Sequence, residues 1–366
     1  MLSTFALDAR KYFDFGIGTY IRHLVQEYAL LKPARPFHLY VTPEDAPSIE
    51  VPEEWKKSVV PYGKYSLEEI FLLGRKVRAN GVSVFHSPHY TLPFGLKGRS
   101  VVTIHDLIHL RFPQFFSSAQ RAYSFMMIRH AISDARYVIT DSEFTKRDIL
   151  RSFRVDEQKI VPIHLGVADS FRTLDRGAVE RYRARVGLER PYLLFVGNTK
   201  PHKGLNVLLE AFARILKTHP DVDLVIAGGS LGDDPRLKSL VQGAAFNGHV
   251  KNLRRLSDED LVLLYNGAEM MLLPSLYEGF GLPALEAMAC GTPVIVSNAA
   301  SLPEVVGDGA LICEAGSVGS LTAAIISVLT DNGVRSELIR KGSARATLFS
   351  WKATAQKTVQ LYDTMV

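Results

Sequence analysis

Two cysteines, Cys290 and Cys313, are all that 366 residues contain. That is too few for a disulfide framework or a four-ligand zinc site, and it points to a reducing compartment. No apolar run approaches the roughly 18–20 residues that cross a bilayer. The opening MLSTFALDARKYF has no basic segment followed by an apolar one, so no secretory leader is expected. Low-complexity segments and short-period repeats are missing, as is a Gly-Lys-Ser or Gly-Lys-Thr phosphate loop. What is present suits a soluble globular chain: 47% hydrophobic and 22% charged residues. The length is generous for one core and suggests two domains.

The net charge of +5 is unevenly placed. Residues 1–165 carry 22 Lys and Arg against 17 Asp and Glu, whereas residues 166–366 carry 21 of each. A basic first half fits an anionic substrate or a membrane face, and equally a few spare surface lysines. A pI near 9.0 without interleaved aromatic and basic residues gives no case for nucleic acid.

The second half reads as short apolar runs bounded by Gly or Pro: YLLFV (192–196), DLVIAGG (223–229), EMMLLP (269–274) and TPVIVS (292–297). Helical patterns at 204–219 and 261–268 lie between them, the latter preceded by a capping signal at SDED (257–260). Such alternation predicts parallel sheets covered on both faces. In the first half, strands are expected at 3–9, 37–42, 82–87, 99–105 and 135–142, and helices at 18–31, 66–80 and 118–133. Residues 167–191 have no strand signal and suit a linker. The expected architecture is α/β, with two doubly wound Rossmann-like domains. Ligands of such sheets bind beyond the carboxyl ends of the strands. The polar residues that follow predicted strands are Gly16, Gly18, His86 to His89, His105, Asp106, Asp141, Ser142, Asn198 to Lys203, Tyr277 to Gly281, Ser297 and Asn298.

The stretch YEGFGLPALEAMACGTPVIVS (277–297) holds two carboxylates around a glycine-rich turn. Pro283 suits the first turn of a helix. Gly279 and Gly281 let the backbone approach a ligand closely, and the exposed amides favour an anion. Glu286 then lies within the helix and Glu278 on the loop before it. A carboxylate beside a phosphate would be repelled, so its work is to accept hydrogen bonds from sugar hydroxyls. Phosphates and polyols together describe a nucleotide sugar. Taken singly, Glu286 is also readable as a helix-start charge and Glu278 as a solvated loop residue.

EGFGLPALEAMACGTPVI resembles the Glu-x7-Glu segment of the family 4 retaining glycosyltransferases. DARKYFDFGIGTYIRHL, VVTIHDLIHLRFP, VITDSEFTKRDIL, IVPIHLGV, VGNTKPHKGLNVLLEAF and FSWKATAQKTVQLYD each resemble family segments, in the family's order. The resemblance implies the GT-B fold, with two Rossmann-like domains facing across a cleft. It implies that Glu278 binds donor-sugar hydroxyls near the reacting carbon and that Glu286 holds the ribose hydroxyls. The backbone of Gly279, Phe280, Gly281 and Leu282 faces sugar and diphosphate, and Lys203 neutralises the leaving diphosphate. The family pairs that lysine with an arginine, where this chain has Asn198. His105 matches a histidine near the donor sugar, and the loop of Gly16 and Gly18 approaches donor or acceptor. A lone Gly-x-Gly is weak by itself, since Ile21 stands where a dinucleotide fingerprint has its third glycine.

HDLIH (105–109) lacks the second-position Glu of a zinc-protease helix, and DVD (221–223) precedes a strand, at the end away from ligands. No metal and no cofactor is therefore expected. Asp106 orients His105 or caps a turn. His86 and His89 face an acceptor or are ordinary loop histidines. RFPQFFSSAQRAYSFMMIRHAI (111–132) mixes aromatic, Met and Arg residues, so it reads as a half-buried helix or as a peripheral membrane contact of the N-terminal domain.

The expected activity is retaining, metal-independent transfer of a hexose, mannose favoured, from a nucleoside diphosphate sugar to a glycan or lipid-linked acceptor. GNTKPHKG is similar to segments of enzymes that use GDP-mannose. The setting is cytoplasmic or peripheral at the inner face of the membrane, with no nucleic-acid partner. Domains are expected at 1–168 and 191–348, with a linker at 169–190 and a last helix at 349–366 that, on the resemblance, crosses back to the first domain. The alternatives are a nucleotide-sugar epimerase of the same fold and a non-catalytic binder of anionic polymer.

Overall fold

Runs such as Phe37–Val41, buried at every position, cannot lie at a wetted surface, and both halves of the chain wrap such runs in helices. The structure, a computed structural model, describes residues 3–366 except 15, 33, 34, 244, 245, 247 and 255. It divides into two units, residues 1–166 with 350–366, and residues 167–349.

In chain order the first unit contains β1 (Thr4–Asp8), α1 (Ile17–Leu31), β2 (Phe37–Val41), β3 (Lys56–Val59), α2 (Leu67–Ala79), β4 (Val82–Ser87) and β5 (Ser100–Ile104). There follow α3 (Ile108–Arg111), α4 (Ser118–Asp134), β6 (Tyr137–Thr140), α5 (Glu143–Ser152) and β7 (Ile160–Pro162). The second unit opens on α6 (Arg176–Arg185), β8 (Tyr192–Gly197), α7 (Leu205–Ile215), β9 (Asp223–Gly228), α8 (Pro235–Gln242), β10 (Val250–Leu253) and α9 (Asp258–Gly267). It continues through β11 (Met270–Leu273), α10 (Leu282–Ala289), β12 (Val294–Ser297), α11 (Leu302–Val306), β13 (Leu311–Cys313), α12 (Val318–Thr330) and α13 (Asn332–Ala346). The last helix, α14 (Trp351–Asp363), belongs to the first unit.

Among the described residues, the first sheet runs β3-β2-β1-β4-β5-β6-β7 and the second β10-β9-β8-β11-β12-β13, all parallel. In each, the order reverses once, between β1 and β4 and between β8 and β11. Side-chain caps set several helix starts: Ser66 accepts from Glu69 N, Ser257 from Asp260 N, and Ser117 with Gln120 forms a reciprocal box. The Ser257 cap starts α9 at Asp258, three residues before the apolar pattern.

The stretch read as a linker, 169–190, is not one. It carries α6, whose Val179 and Tyr182 are buried and which packs on α9. Asn266 holds the segment further, accepting from Leu174 N at 2.8 Å and donating to Arg172 O at 2.9 Å. With only two buried apolar positions, the helix has little periodicity to read.

Helix α14 docks on α1 in the first unit through a buried polar chain. The Tyr362 hydroxyl meets Tyr28 OH at 3.1 Å and His86 Nδ1 at 2.5 Å. His86 Nε2 meets Thr103 Oγ1 at 2.7 Å, which in turn meets Tyr20 OH at 3.1 Å. His86 is thus a core histidine of β4, neither a loop residue nor exposed, and burial pushes its pKa down to about 3.

Candidate active site

In the second unit, the loops leaving β8 and β11 flank the point of strand reversal, where open α/β sheets bind ligands. The first loop carries Lys203 and the second Glu278, and the structure brings the two together. Lys203 Nζ donates to both carboxylate oxygens of Glu278, at 2.7 and 2.8 Å. Ser275 Oγ donates to Oε1 at 2.7 Å. Only 12% of the Glu278 side chain and 17% of that of Lys203 are exposed, so the pair is held in one geometry with its rim open. Below it, Ser301 Oγ donates to the carbonyls of Glu278 and Phe280, at 2.9 and 3.0 Å, and Ser297 Oγ donates to that of Ser275. Leu276 N donates to His202 O at 2.7 Å and ties the two loops together.

Gly281, at φ 105°, ends the loop and precedes α10; a Cβ there would sit 2.7 Å from Leu302 Cδ2. Both conformation and space demand glycine. Pro283 lies in the first turn and no side chain caps the helix, an end whose amides attract anions. Phe280 is buried edge-to-face on Phe349 at 5.8 Å, so its ring anchors the loop from inside. Gly279 and Leu282 are half-buried on either side. Asn198 Oδ1 accepts from Lys200 N at 3.1 Å in a local turn, and Lys200 is exposed.

Glu286 lies inside α10, its Oε2 accepting from Tyr265 OH on α9 at 2.8 Å. Burial pushes its carboxyl up to about 7 against the pull of that hydrogen bond, and the charge of Asp258 adds to the rise. Tyr265 is wholly buried.

The other candidate residues stand in the first unit. His105 follows β5 with Nδ1 on Asp141 Oδ2 at 2.7 Å and Nε2 on Pro88 O at 3.0 Å. Both partners are acceptors, which suits a doubly protonated ring. Burial opposes that charge, but the Asp141 carboxylate and the Pro88 carbonyl hold the pKa above its ordinary value. Asp141, not Asp106, orients the ring; Asp106 accepts from Ile108 N at 2.9 Å and caps a turn. Gly18 is buried in the first turn of α1, where a Cβ would meet Tyr12 O at 2.5 Å, so close packing accounts for it. Gly16 is exposed, at φ 77°, with nothing within 4 Å of an added Cβ.

Asp223 of the DVD stretch opens β9 at the amino end of the sheet, facing Arg190 at 3.3 Å and His249 at 3.0 Å. Among the described residues, no group of three His, Cys, Asp or Glu side chains converges as ion ligands do. A basin of about 350 Å³ near Lys97, Asp134, Arg136 and Lys159 lies at the amino ends of β5 to β7, away from the ligand-binding ends. Ser297 was among the strand-end residues expected from sequence, whereas Ser275, Ser301 and Tyr265 were not singled out. Ser275 directly follows a strand and was within reach of that rule, whereas nothing local marks Tyr265.

A family model described as "Glycosyl transferases group 1" matches residues 179–345, and one described as "Glycosyltransferase Family 4" matches residues 16–171. O-antigen chain mannosyltransferase B of Escherichia coli is 30% identical over 98% of both chains. Sucrose-phosphate synthase from Thermosynechococcus elongatus superposes with a TM-score of 0.80 at 24% identity, covering 99% of each chain. Anabaena HepE, solved in complex with UDP and glucose, superposes at 0.77 with 18% identity over 100% of each. The fold is GT-B, two parallel-sheet Rossmann-like units in one chain. The chain belongs to the family 4 glycosyltransferases.

Proposed function

We propose that this glycosyltransferase moves mannose from GDP-mannose to a hydroxyl of a glycan or lipid-linked glycan, with retention of configuration and without metal. The observation that carries the reading is the Lys203–Glu278 pair at the β8/β11 reversal, with Glu286 inside the helix that directly follows. Mannose rests on the name of the Escherichia coli relative. When the donor enters, Lys203 turns part of its charge from Glu278 to the diphosphate, and Glu278 accepts from sugar hydroxyls beside the reacting carbon. Glu286 accepts the ribose hydroxyls. The glycosidic C–O bond to the phosphate breaks, the acceptor oxygen bonds on the same face, and the departing phosphate takes the acceptor's proton. No protein nucleophile is needed, so the rate comes from positioning and from charge placed where the leaving group develops it. Calorimetric titration of GDP, UDP and ADP in chelator tests this. GDP alone is expected to bind; UDP in its place would reassign the donor. Silence from all three and from their sugar conjugates overturns the reading.

The acceptor side of the proposal includes a peripheral membrane contact. Among the described residues no helix is long and apolar enough to cross a membrane. One face of α4 exposes Arg121, Phe125, Met126 and Arg129, and exposed Leu67, Phe71 and Phe94 lie nearby, Phe71 stacked on Phe94 and Phe94 tilted against His130 of α4. Basic and apolar groups mixed on one face suit an anionic lipid surface. Arg121→Ser with Arg129→Ser is expected to weaken cosedimentation with phosphatidylglycerol vesicles about 10–30-fold, at roughly 1 kcal/mol per charge. Binding unchanged by the pair removes the membrane from the proposal.

A further inference from the structure

Arg10 and Lys11 follow β1, and His89 and Tyr90 follow β4. These are the two strands between which the first sheet reverses, so their carboxyl ends border the crevice where such sheets take ligands. Tyr65, just before α2, and Tyr123 of α4 complete the group. Ring centroids lie 5.8 Å apart for Tyr65 and His89, and 6.4 Å for Tyr65 and Tyr123. The donor chemistry above uses none of them.

The polar groups here are donors in want of acceptors. Arg10 is 1% exposed; its Nε meets Asp8 Oδ1 at 2.9 Å, and its Nη2 meets Asp8 Oδ2 and Glu69 Oε1, both at 2.7 Å. Its Nη1 is buried with no partner. Lys11 is 5% exposed and its Nζ likewise has no hydrogen-bond partner. The buried hydroxyl of Tyr123 is the third such group. One unmade buried donor costs about 1–3 kcal/mol, more when charged, and native folds hold few of them. Three in one crevice mark a place where acceptor atoms are missing.

The ammonium of Lys11 has a substitute. It lies over the Tyr65 ring, 3.6 Å from the centroid. Such a contact offers about 0.5–2 kcal/mol, less than a desolvated charge requires, and burial lowers the Lys11 pKa to about 8. Tyr65 is itself poorly placed: 48% exposed, and at φ 63° in the left-handed region that non-glycine residues avoid. Its N–H is held by Glu69. An exposed ring kept in an uncommon backbone geometry over a buried ammonium is built as a cover.

Charge selects the ligand. Asp8 and Glu69 are engaged by Arg10, and Asp14 is paired with Lys64 at 2.5 Å. Burial, ahead of the nearby positive charge of Lys11, keeps His89 neutral. A sugar hydroxyl would satisfy the hydrogen bonds but leave the ammonium without a counter-charge in contact. An oxyanion supplies both.

We propose that Lys11 Nζ, Arg10 Nη1 and the Tyr123 hydroxyl form an oxyanion subsite covered by the Tyr65 ring, which takes an acidic group, phosphate or carboxylate, carried by the acceptor. The carrier's identity as an acceptor rests on the transferase reading; the subsite does not. The test uses the full chain with ¹³C at lysine Cε, where the Lys11 signal is the one lost in Lys11→Arg. Inorganic phosphate is expected to raise the titration midpoint of that signal by about one pH unit, while chloride at equal ionic strength leaves it in place. Tyr65→Ala should strengthen the response by removing the cover. Glycerol 1-phosphate and glucuronate, run in parallel, distinguish a phosphate-bearing from a carboxylate-bearing acceptor. A Lys11 signal indifferent to all three anions, with and without Tyr65, overturns the subsite. Nucleotide binding in the same samples judges the transferase reading separately.

Discussion

Glu278→Ala is expected to lower glycosyl transfer by at least about 10²–10³-fold, the cost of losing a placed electrostatic group at a reacting centre, with nucleotide affinity close to that of the wild type. The asymmetry comes from what Glu278 touches. Its carboxylate is bound by Lys203 and Ser275, and its backbone carbonyl by Ser301. The side chain therefore orients the sugar end of the donor while the loop keeps its own anchors. Removing it frees Lys203 for the diphosphate, so nucleotide affinity should rise slightly if it changes at all. Lys203→Ala is the counterpart: it strips the charge from the leaving group and leaves Glu278 without its cation, so rate and nucleotide affinity fall together. Initial rates at saturating donor, with calorimetry on the same samples, check both variants. Comparable losses of nucleotide affinity in Glu278→Ala and Glu286→Ala would sink the division of labour between the two carboxylates.

The strands legible in the sequence were the interior ones. β1, β2, β4, β5 and β6, and β8, β9, β11 and β12, are continuous apolar runs because both faces are covered. The strands that escaped, β3, β7, β10 and β13, are the edges of the two sheets. KKSV at 56–59 is mostly exposed and VKNL at 250–253 half-buried; edge strands carry polar residues that hide their period and guard against pairing with other chains. The site divides in the same way. Glu278, Lys203 and Glu286 are candidates because of the motif around them, but the contact between Lys203 and Glu278 spans 75 residues, and that between Tyr265 and Glu286 spans 21. Tyr265 sits in an apolar helix pattern that shows only its burial. His86 misled for the converse reason: a histidine next to Ser-Pro-His looks like a loop residue, and only the partner 276 positions away, Tyr362, accounts for its place in the core.

Glu286→Gln should make the protein more stable at pH 8 and poorer at holding nucleotide. A carboxyl that titrates near 7 in the folded chain and near 4.3 when unfolded contributes nothing to the pH dependence of stability below about pH 4, where both states are protonated. Between those values the unfolded chain releases its proton and the folded chain keeps it, so folding loses ground as pH rises, and above about 7 the penalty is complete. Its ceiling is about 4 kcal/mol, and residual solvent contact at this half-buried side chain lowers it to roughly 1–2 kcal/mol. Glutamine has no proton to hold and still accepts from Tyr265, so urea midpoints for wild type and variant should nearly coincide at pH 4 and separate at pH 8, the variant being the more stable. Nucleotide binding should move the opposite way. An ionised Glu286 accepting two ribose hydroxyls is worth about 1.5–3 kcal/mol, so the wild type should gain on the variant as pH passes through 7. Titration of the phosphates affects both proteins alike and cancels in the comparison. A midpoint difference that does not change with pH would mean that Glu286 is already ionised in the free protein. The strained carboxyl would then be no part of how this site binds its donor.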